Sequence, residues 1–305
     1  MENSNMLSFI KRLRKLQTEH RRKNSTKDEL LKREFIKEKI LSSETTFQVR
    51  EAYKTLRTNV IFSLPQEGCK RICVTSSIAS EGKSTNCLNL AITFAETGAK
   101  VLIIDCDLRR PNISRLLDKK GTPGLSNALV GLNSLEEVIC ESGYSNLDVI
   151  FSGSIPPNPA ELLGSDRMGE IIEELSKKYD YIFFDTAPVN IVTDTAIIAK
   201  WMSGVIMIVL YNSTDKDTIE EALKQLDFAN AKILGFVLNG VVYGSNGSYK
   251  YNYKRYTYKD KRYAGDYRRG RYGRYGHYSH YGHDKHHSSE SGSENKASAS
   301  GKKAK

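Results

Sequence analysis

The chain has 305 residues and a formal net charge of +10, a length that holds one large domain or two small ones. The charge is unevenly placed: residues 1–40 carry 12 Lys and Arg against 6 Asp and Glu, residues 249–305 carry 15 against 5, and the stretch between is net −6. That distribution argues against a globular nucleic-acid surface, and no run of 18 uncharged apolar residues is present to span a membrane.

Residues 1–44 read as a charged N-terminal extension. Leu7, Ile10 and Leu13, with Phe9 and Leu16, form a narrow apolar stripe beside Lys11, Arg12, Arg14 and Lys15. A solvated helix is the preferred reading over one resting on an anionic membrane. The first apolar cluster, Met6 to Ile10, is too short for a signal peptide. The five cysteines (Cys69, Cys73, Cys87, Cys106, Cys140) show no disulfide or zinc spacing and imply a reduced, cytoplasmic interior.

From residue 70 short apolar runs alternate with helical periods. Strands are expected at 72–74, 101–104, 147–151, 181–184, 205–210 and 233–238, and helices near 88–97, 168–178, 193–199 and 218–228. Continuous apolar strands separated by helices predict an α/β domain over residues 45–245, with a mostly parallel sheet covered by helices on both faces. Residues 246–305 read as a flexible tail ending in Ser/Gly/Lys low complexity. Twelve of the seventeen tyrosines lie between Tyr243 and Tyr281, among Gly, Lys, Arg, His, Ser and Asn, where they cannot be buried.

The strongest motif is Ser77-Ile-Ala-Ser80-Glu81-Gly82-Lys83-Ser84-Thr85, behind the first expected strand and opening a helix. It is a P-loop with serine in place of the usual first glycine, and it predicts a P-loop NTPase fold. Ser80 to Thr85 are the expected nucleotide contacts, with Lys83 reaching the β/γ oxygens and Ser84 a ligand of Mg2+. Asp105 and Asp107 follow the 101–104 run, one residue apart, so strand alternation points both to one side. Asp185 ends the 181–184 run. Three aspartates at strand carboxyl ends would share the work of holding magnesium and accepting a hydroxyl proton. The position where guanine-specific P-loop proteins carry Asn-Lys-x-Asp reads Leu238-Asn239-Gly240-Val241, which favours ATP. A phosphate-transferring core followed by exposed tyrosines suggests a kinase that carries its own substrate.

These motifs, with the 153–163 stretch (Gly-Ser-Ile-Pro-Pro-Asn-Pro-Ala-Glu-Leu-Leu) and the tyrosine cluster, closely resemble the bacterial tyrosine kinases of capsule and exopolysaccharide assembly, over residues 45–281. The resemblance implies that Lys83 and Ser84 bind phosphates and magnesium, that Asp107 and Asp185 position the metal, and that Asp105 is the base. It implies autophosphorylation in trans at Tyr249, Tyr251, Tyr253, Tyr256, Tyr258, Tyr263, Tyr267, Tyr272, Tyr275, Tyr278 and Tyr281. It also implies a homo-oligomeric ring packed through a Glu-x-x-Arg-x-x-Arg helix, here Glu51, Lys54 and Arg57, where Lys54 cannot make a bidentate carboxylate contact. The missing span matches the split form, which a membrane-bound activator recruits to the inner face of the membrane.

Two other readings compete. Septum-placing and chromosome-partitioning ATPases share this core pattern but carry a lysine five residues before Lys83, where this chain has Ile78. The Arg268-Arg-Gly-Arg-Tyr-Gly stretch resembles segments that bind single-stranded nucleic acid or other polyanions. His277, His280, His283, His286 and His287 are read as polar filler in preference to a metal site, Cys106 as a core thiol, and Trp201 as packing.

Overall fold

The expected apolar runs all form strands, and the computed structural model, which describes residues 38–241, joins them into one sheet. The strands are β1 (Lys70–Ser76), β2 (Val101–Asp105), β3 (Ile139–Tyr144), β4 (Leu147–Ile150), β5 (Tyr181–Asp185), β6 (Gly204–Leu210) and β7 (Ile233–Asn239). Their order is β3-β4-β2-β5-β1-β6-β7, and every neighbouring pair is parallel except β3 with β4. The helices, in chain order, are α1 (Phe47–Ser63), α2 (Lys83–Ala95), α3 (Ile113–Leu116), α4 (Leu125–Leu129), α5 (Leu135–Val138), α6 (Pro159–Gly164), α7 (Asp166–Ser176), α8 (Asp194–Ala199) and α9 (Lys216–Phe228).

The two faces of the sheet explain why the strands read as unbroken apolar runs. Val101 and Ile103 of β2 join a core under α1 and α2, whereas Leu102 and Ile104 join a second core under α6, α7 and α8. Successive side chains point to opposite faces, so a strand covered twice must be apolar throughout. Helix α7 shows how each cover is held. Ser165 caps it by accepting the Met168 N–H, and Met168, Ile171, Ile172 and Leu175 form a buried stripe with helical spacing. Each such side chain contributes about 1.5–3 kcal/mol relative to exposure.

Two features were not legible beforehand. Strand β3 contains Ser142 and Gly143 and exists by pairing antiparallel with β4 across a turn in which Asn146 takes a φ of 61°. Its edge position asks little of its own apolar content. Ile40 and Leu41, which the sequence placed in the extension, are buried in the α1–α2 core. The stripe at residues 7–16, the tail tyrosines and the tail histidines lie outside the described residues. No helix among the described residues is long and apolar enough to cross a membrane.

The register decides what meets at the carboxyl edge. β5 lies between β2 and β1, and Asp105 pairs level with Asp185. The loop leaving β1 therefore emerges beside two carboxylates from neighbouring strands.

Candidate active site

That loop turns through two left-handed residues, Ser80 (φ 69°) and Gly82 (φ 92°), before α2 begins at Lys83. A left-handed φ is routine only for glycine, and Gly82 has a steric reason as well: a Cβ there would lie 2.2 Å from Asn239 Nδ2. The carbonyls of Glu81 and Gly82 are taken by side-chain amides, Asn239 Nδ2 at 2.8 Å and Asn86 Nδ2 at 3.0 Å. The first-turn N–H groups of α2 are left for an anion. Glu81, expected among the ligand contacts, has its carboxylate turned away from the cleft. It is buried and accepts from the Ile78 N–H at 2.9 Å, the Leu210 N–H at 3.2 Å and the Thr214 hydroxyl. Its side chain braces the loop.

The loop opens on a cleft of about 550 Å3, lined by Ser80, Gly82, Lys83, Ser84 and Thr85 on one side and by Asp107, Arg110 and Arg115 on the other, with Lys39 at the margin. A cavity of about 580 Å3 at the amino ends of the strands, beside Lys70, Lys100 and Tyr179, gathers no comparable cluster of acids. Alternation does not carry Asp105 and Asp107 to one side as expected, because β2 ends at Asp105. Asp107 reaches the cleft, and Asp105 stays fully buried behind it.

Electrostatics tie these groups together. Lys83 Nζ lies 2.8 Å from Asp107 Oδ2 and 3.6 Å from Asp185 Oδ1. Burial works to lower the Lys83 pKa, but Asp185 and Asp107 outweigh it and hold the ammonium charged. Asp105 is pushed up to about 8, first by burial and then by Asp185. Its carboxylate accepts backbone N–H groups from Ile113 (3.0 Å), Asn112 (3.1 Å) and Asp107 (3.3 Å), which oppose the shift without cancelling it. Burial also raises Asp185, against the pull of Lys83 and Ser84. Neither Asp185 oxygen accepts a hydrogen bond, although both are buried.

Three carboxylates facing one ammonium leave two negative charges in excess when all are ionised. A buried carboxylate that faces an ammonium without a close hydrogen bond, beside a serine hydroxyl and a second acid, is a donor set that a hard divalent cation takes. The residues therefore fit magnesium. Outside the cluster, Arg109 grips buried Asp194 through two hydrogen bonds of 2.8 and 3.0 Å, tying the segment after β2 to the start of α8. Burial pushes the Cys106 thiol far up, so it behaves as core packing. On α1, Lys54 pairs with Glu51 at 2.8 Å within the helix, and Arg57 donates to the Thr93 carbonyl of α2. Asn86, Asn239, Asp194 and Thr214 were missed in the sequence. Asn86 and Asn89 had a signal, as amides in an otherwise apolar helix that must be buried.

Residues 69–231 match the family model described as an AAA domain. Tyrosine-protein kinase YwqD of Bacillus subtilis is 38% identical over 201 residues, covering 66% of this chain and 85% of that protein. The putative tyrosine-protein kinase CapB of Staphylococcus aureus is 35% identical over 205 residues, covering 67% and 90%. The chain belongs to the bacterial tyrosine kinases. Within that family the kinase domain of Escherichia coli tyrosine kinase ETK superposes with a TM-score of 0.62 at 32% identity, over 66% of this chain and 78% of that one. The fold of this chain is thus that of a P-loop kinase domain, and such a fold binds nucleotide.

Proposed function

We propose that the chain transfers the γ-phosphoryl group of ATP to tyrosine hydroxyls, above all those between Tyr249 and Tyr281 of a second copy, and thereby regulates capsule or exopolysaccharide synthesis. The observation that carries this reading is the convergence of Lys83, Asp105, Asp107 and Asp185 on one P-loop, in a chain whose relatives are named tyrosine-protein kinases.

The loop N–H groups and Lys83 bind and orient the phosphates, whose oxygens compete with Asp107 for the ammonium. Ser84, Asp107 and Asp185 would hold magnesium, which when bound neutralises charge on the phosphates. The tyrosine oxygen forms the new P–O bond, the bond to the departing ADP oxygen breaks, and the phenolic proton passes to a carboxylate. By the family resemblance Asp105 is assigned that proton, and burial with the neighbouring Asp185 raises its affinity for it. Asp107 presents the acidic pair to the cleft. Positioning and charge neutralisation supply the rest.

Glu51, Lys54 and Arg57 are assigned to packing copies into a ring. The exposed Glu51–Lys54 pair contributes about 1 kcal/mol or less, so a neighbouring subunit displaces it at small cost. A membrane-bound activator would hold the kinase at the inner face of the membrane.

Anti-phosphotyrosine blotting and intact mass after incubation with Mg-ATP, with and without the activator's cytosolic segment, test this reading. A ladder of added phosphoryl groups is expected. Lys83→Met should lack it and recover it when mixed with a chain ending at residue 242. Steady ATP hydrolysis without phosphotyrosine under all conditions would replace the kinase with an ATP-hydrolysing switch.

A further inference from the structure

Helix α2 is buried almost throughout, yet it carries Asn86 and Asn89 among its apolar side chains. A buried amide is costly unless its hydrogen bonds are made, so where they go is informative. Asn86 Nδ2 donates to the Gly82 carbonyl at 3.0 Å, and Asn86 Oδ1 accepts the Tyr53 hydroxyl at 2.9 Å. The Tyr53 oxygen accepts from Asn89 Nδ2 at 3.1 Å. Asn89 is itself held at both ends, donating to the Lys39 carbonyl at 2.9 Å and accepting from the Leu41 N–H at 2.9 Å.

Each step of this chain has a fixed direction. Because Asn89 donates to Tyr53, the single Tyr53 proton goes to Asn86. Because Asn86 oxygen receives that proton, its NH2 faces Gly82. The run Asn89 to Tyr53 to Asn86 to Gly82 is therefore one polarised line from α1 to the turn of the P-loop, and such lines strengthen cooperatively. None of these hydrogen bonds runs to Asp105, Asp107 or Asp185, so the proton chemistry does not account for the line.

We infer that Tyr53 is a positioning residue for nucleotide binding: its hydroxyl sets the Asn86 amide, and Asn86 holds the Gly82 carbonyl and with it the left-handed entry into α2. The inference rests on the nucleotide reading of this loop. Without the hydroxyl, the Asn86 oxygen loses its donor, and the bond to the Gly82 carbonyl alone is left to hold the amide in place. Tyr53 packs its ring against the α1–α2 core, and phenylalanine keeps that packing.

The test is Mg-ADP binding by calorimetry on the full chain, together with hydrogen exchange over residues 80–86 in the nucleotide-free protein. Loss of one neutral hydrogen bond predicts that Tyr53→Phe weakens Mg-ADP binding about five- to tenfold. Loop amides should exchange faster, while kcat at saturating ATP stays within about twofold, as expected for lost uniform binding. Asn86→Asp, which keeps the acceptor for Tyr53 and loses the donor to Gly82, should reproduce the weakening. In an Asn86→Ala background Tyr53→Phe should have no further effect. Unchanged affinity and unchanged exchange in Tyr53→Phe, or losses that add fully with Asn86→Ala, would overturn the inference. A wild-type chain that fails to bind Mg-ADP would instead sink the kinase reading, and the exchange measurement would still decide the role of Tyr53.

Discussion

Replacing Asp105 with asparagine separates the electrostatic cost of this site from its chemistry. Burial and Asp185 push Asp105 from its ordinary 3.8 up to about 8. The folded chain therefore holds the proton more tightly than the unfolded chain does. Stability from this group is fully present below about pH 4 and is lost as pH rises to 8, at up to about 1.4 kcal/mol per pH unit. Over the whole interval the loss reaches about 5–6 kcal/mol. Asparagine removes that dependence but sets an NH2 against the Asp107 N–H and weakens the bonds from Asn112 and Ile113, at about 1–3 kcal/mol. The nucleotide-free Asp105→Asn protein should therefore be about equal to wild type near pH 5. Near pH 8 it should be more stable by about 3–4 kcal/mol, or roughly 6–16 °C in Tm for a domain of this size. Thermal and urea melts between pH 5 and 8.5 measure the difference, and phosphotyrosine formation should be lost at every pH. A wild-type-minus-variant difference that stays flat across this range would refute the reasoning.

Other perturbations follow from the same geometry. Lys83→Met removes the ammonium that lies between Asp107 and Asp185, so phosphotyrosine formation should vanish and the variant's melting temperature should fall further behind wild type as pH rises. Gly82→Ala forces a Cβ to 2.2 Å from Asn239 Nδ2 at a φ of 92°, and calorimetry should find no Mg-ADP binding in a protein that still folds by circular dichroism. Ile171→Ala, in the buried stripe of α7, should cost about 2–5 kcal/mol in urea unfolding yet leave the KM for ATP unchanged, since α7 packs behind the sheet. Chelating divalent ions with EDTA should stop transfer, and restored magnesium should fail to rescue Asp185→Asn.

Local pattern carries far in this chain. The parallel α/β architecture was legible because a doubly covered strand such as β2 must be apolar at every position, and α7 repeats its apolar residues every three or four. The P-loop was legible because its geometry is made within nine residues, by Gly82, Lys83 and Ser84 in fixed order. Asp185 stood out because a charge that ends an apolar run has few structural uses. Strand β3 was not legible, since its conformation comes from β4 and not from its own composition.

What only the tertiary structure decided is the division of labour among these residues. Glu81 meets Asn239, 158 positions away, through its carbonyl and Leu210 and Thr214 through its carboxylate, so a residue inside the motif is spent on bracing it. Arg109 meets Asp194 across 85 positions, and Asp105 stands level with Asp185 only because β5 inserts beside β2. Asp107 faces the cleft while Asp105 lies buried because β2 stops between them, a fact of strand length that alternation cannot reveal. The amino-acid sequence determined which elements form and which chemistry they carry, because periodicity and motifs act over a few residues. The pairing of distant groups, and hence every shifted pKa in the site, depends on strand register and burial, which exist only once the chain has closed on itself.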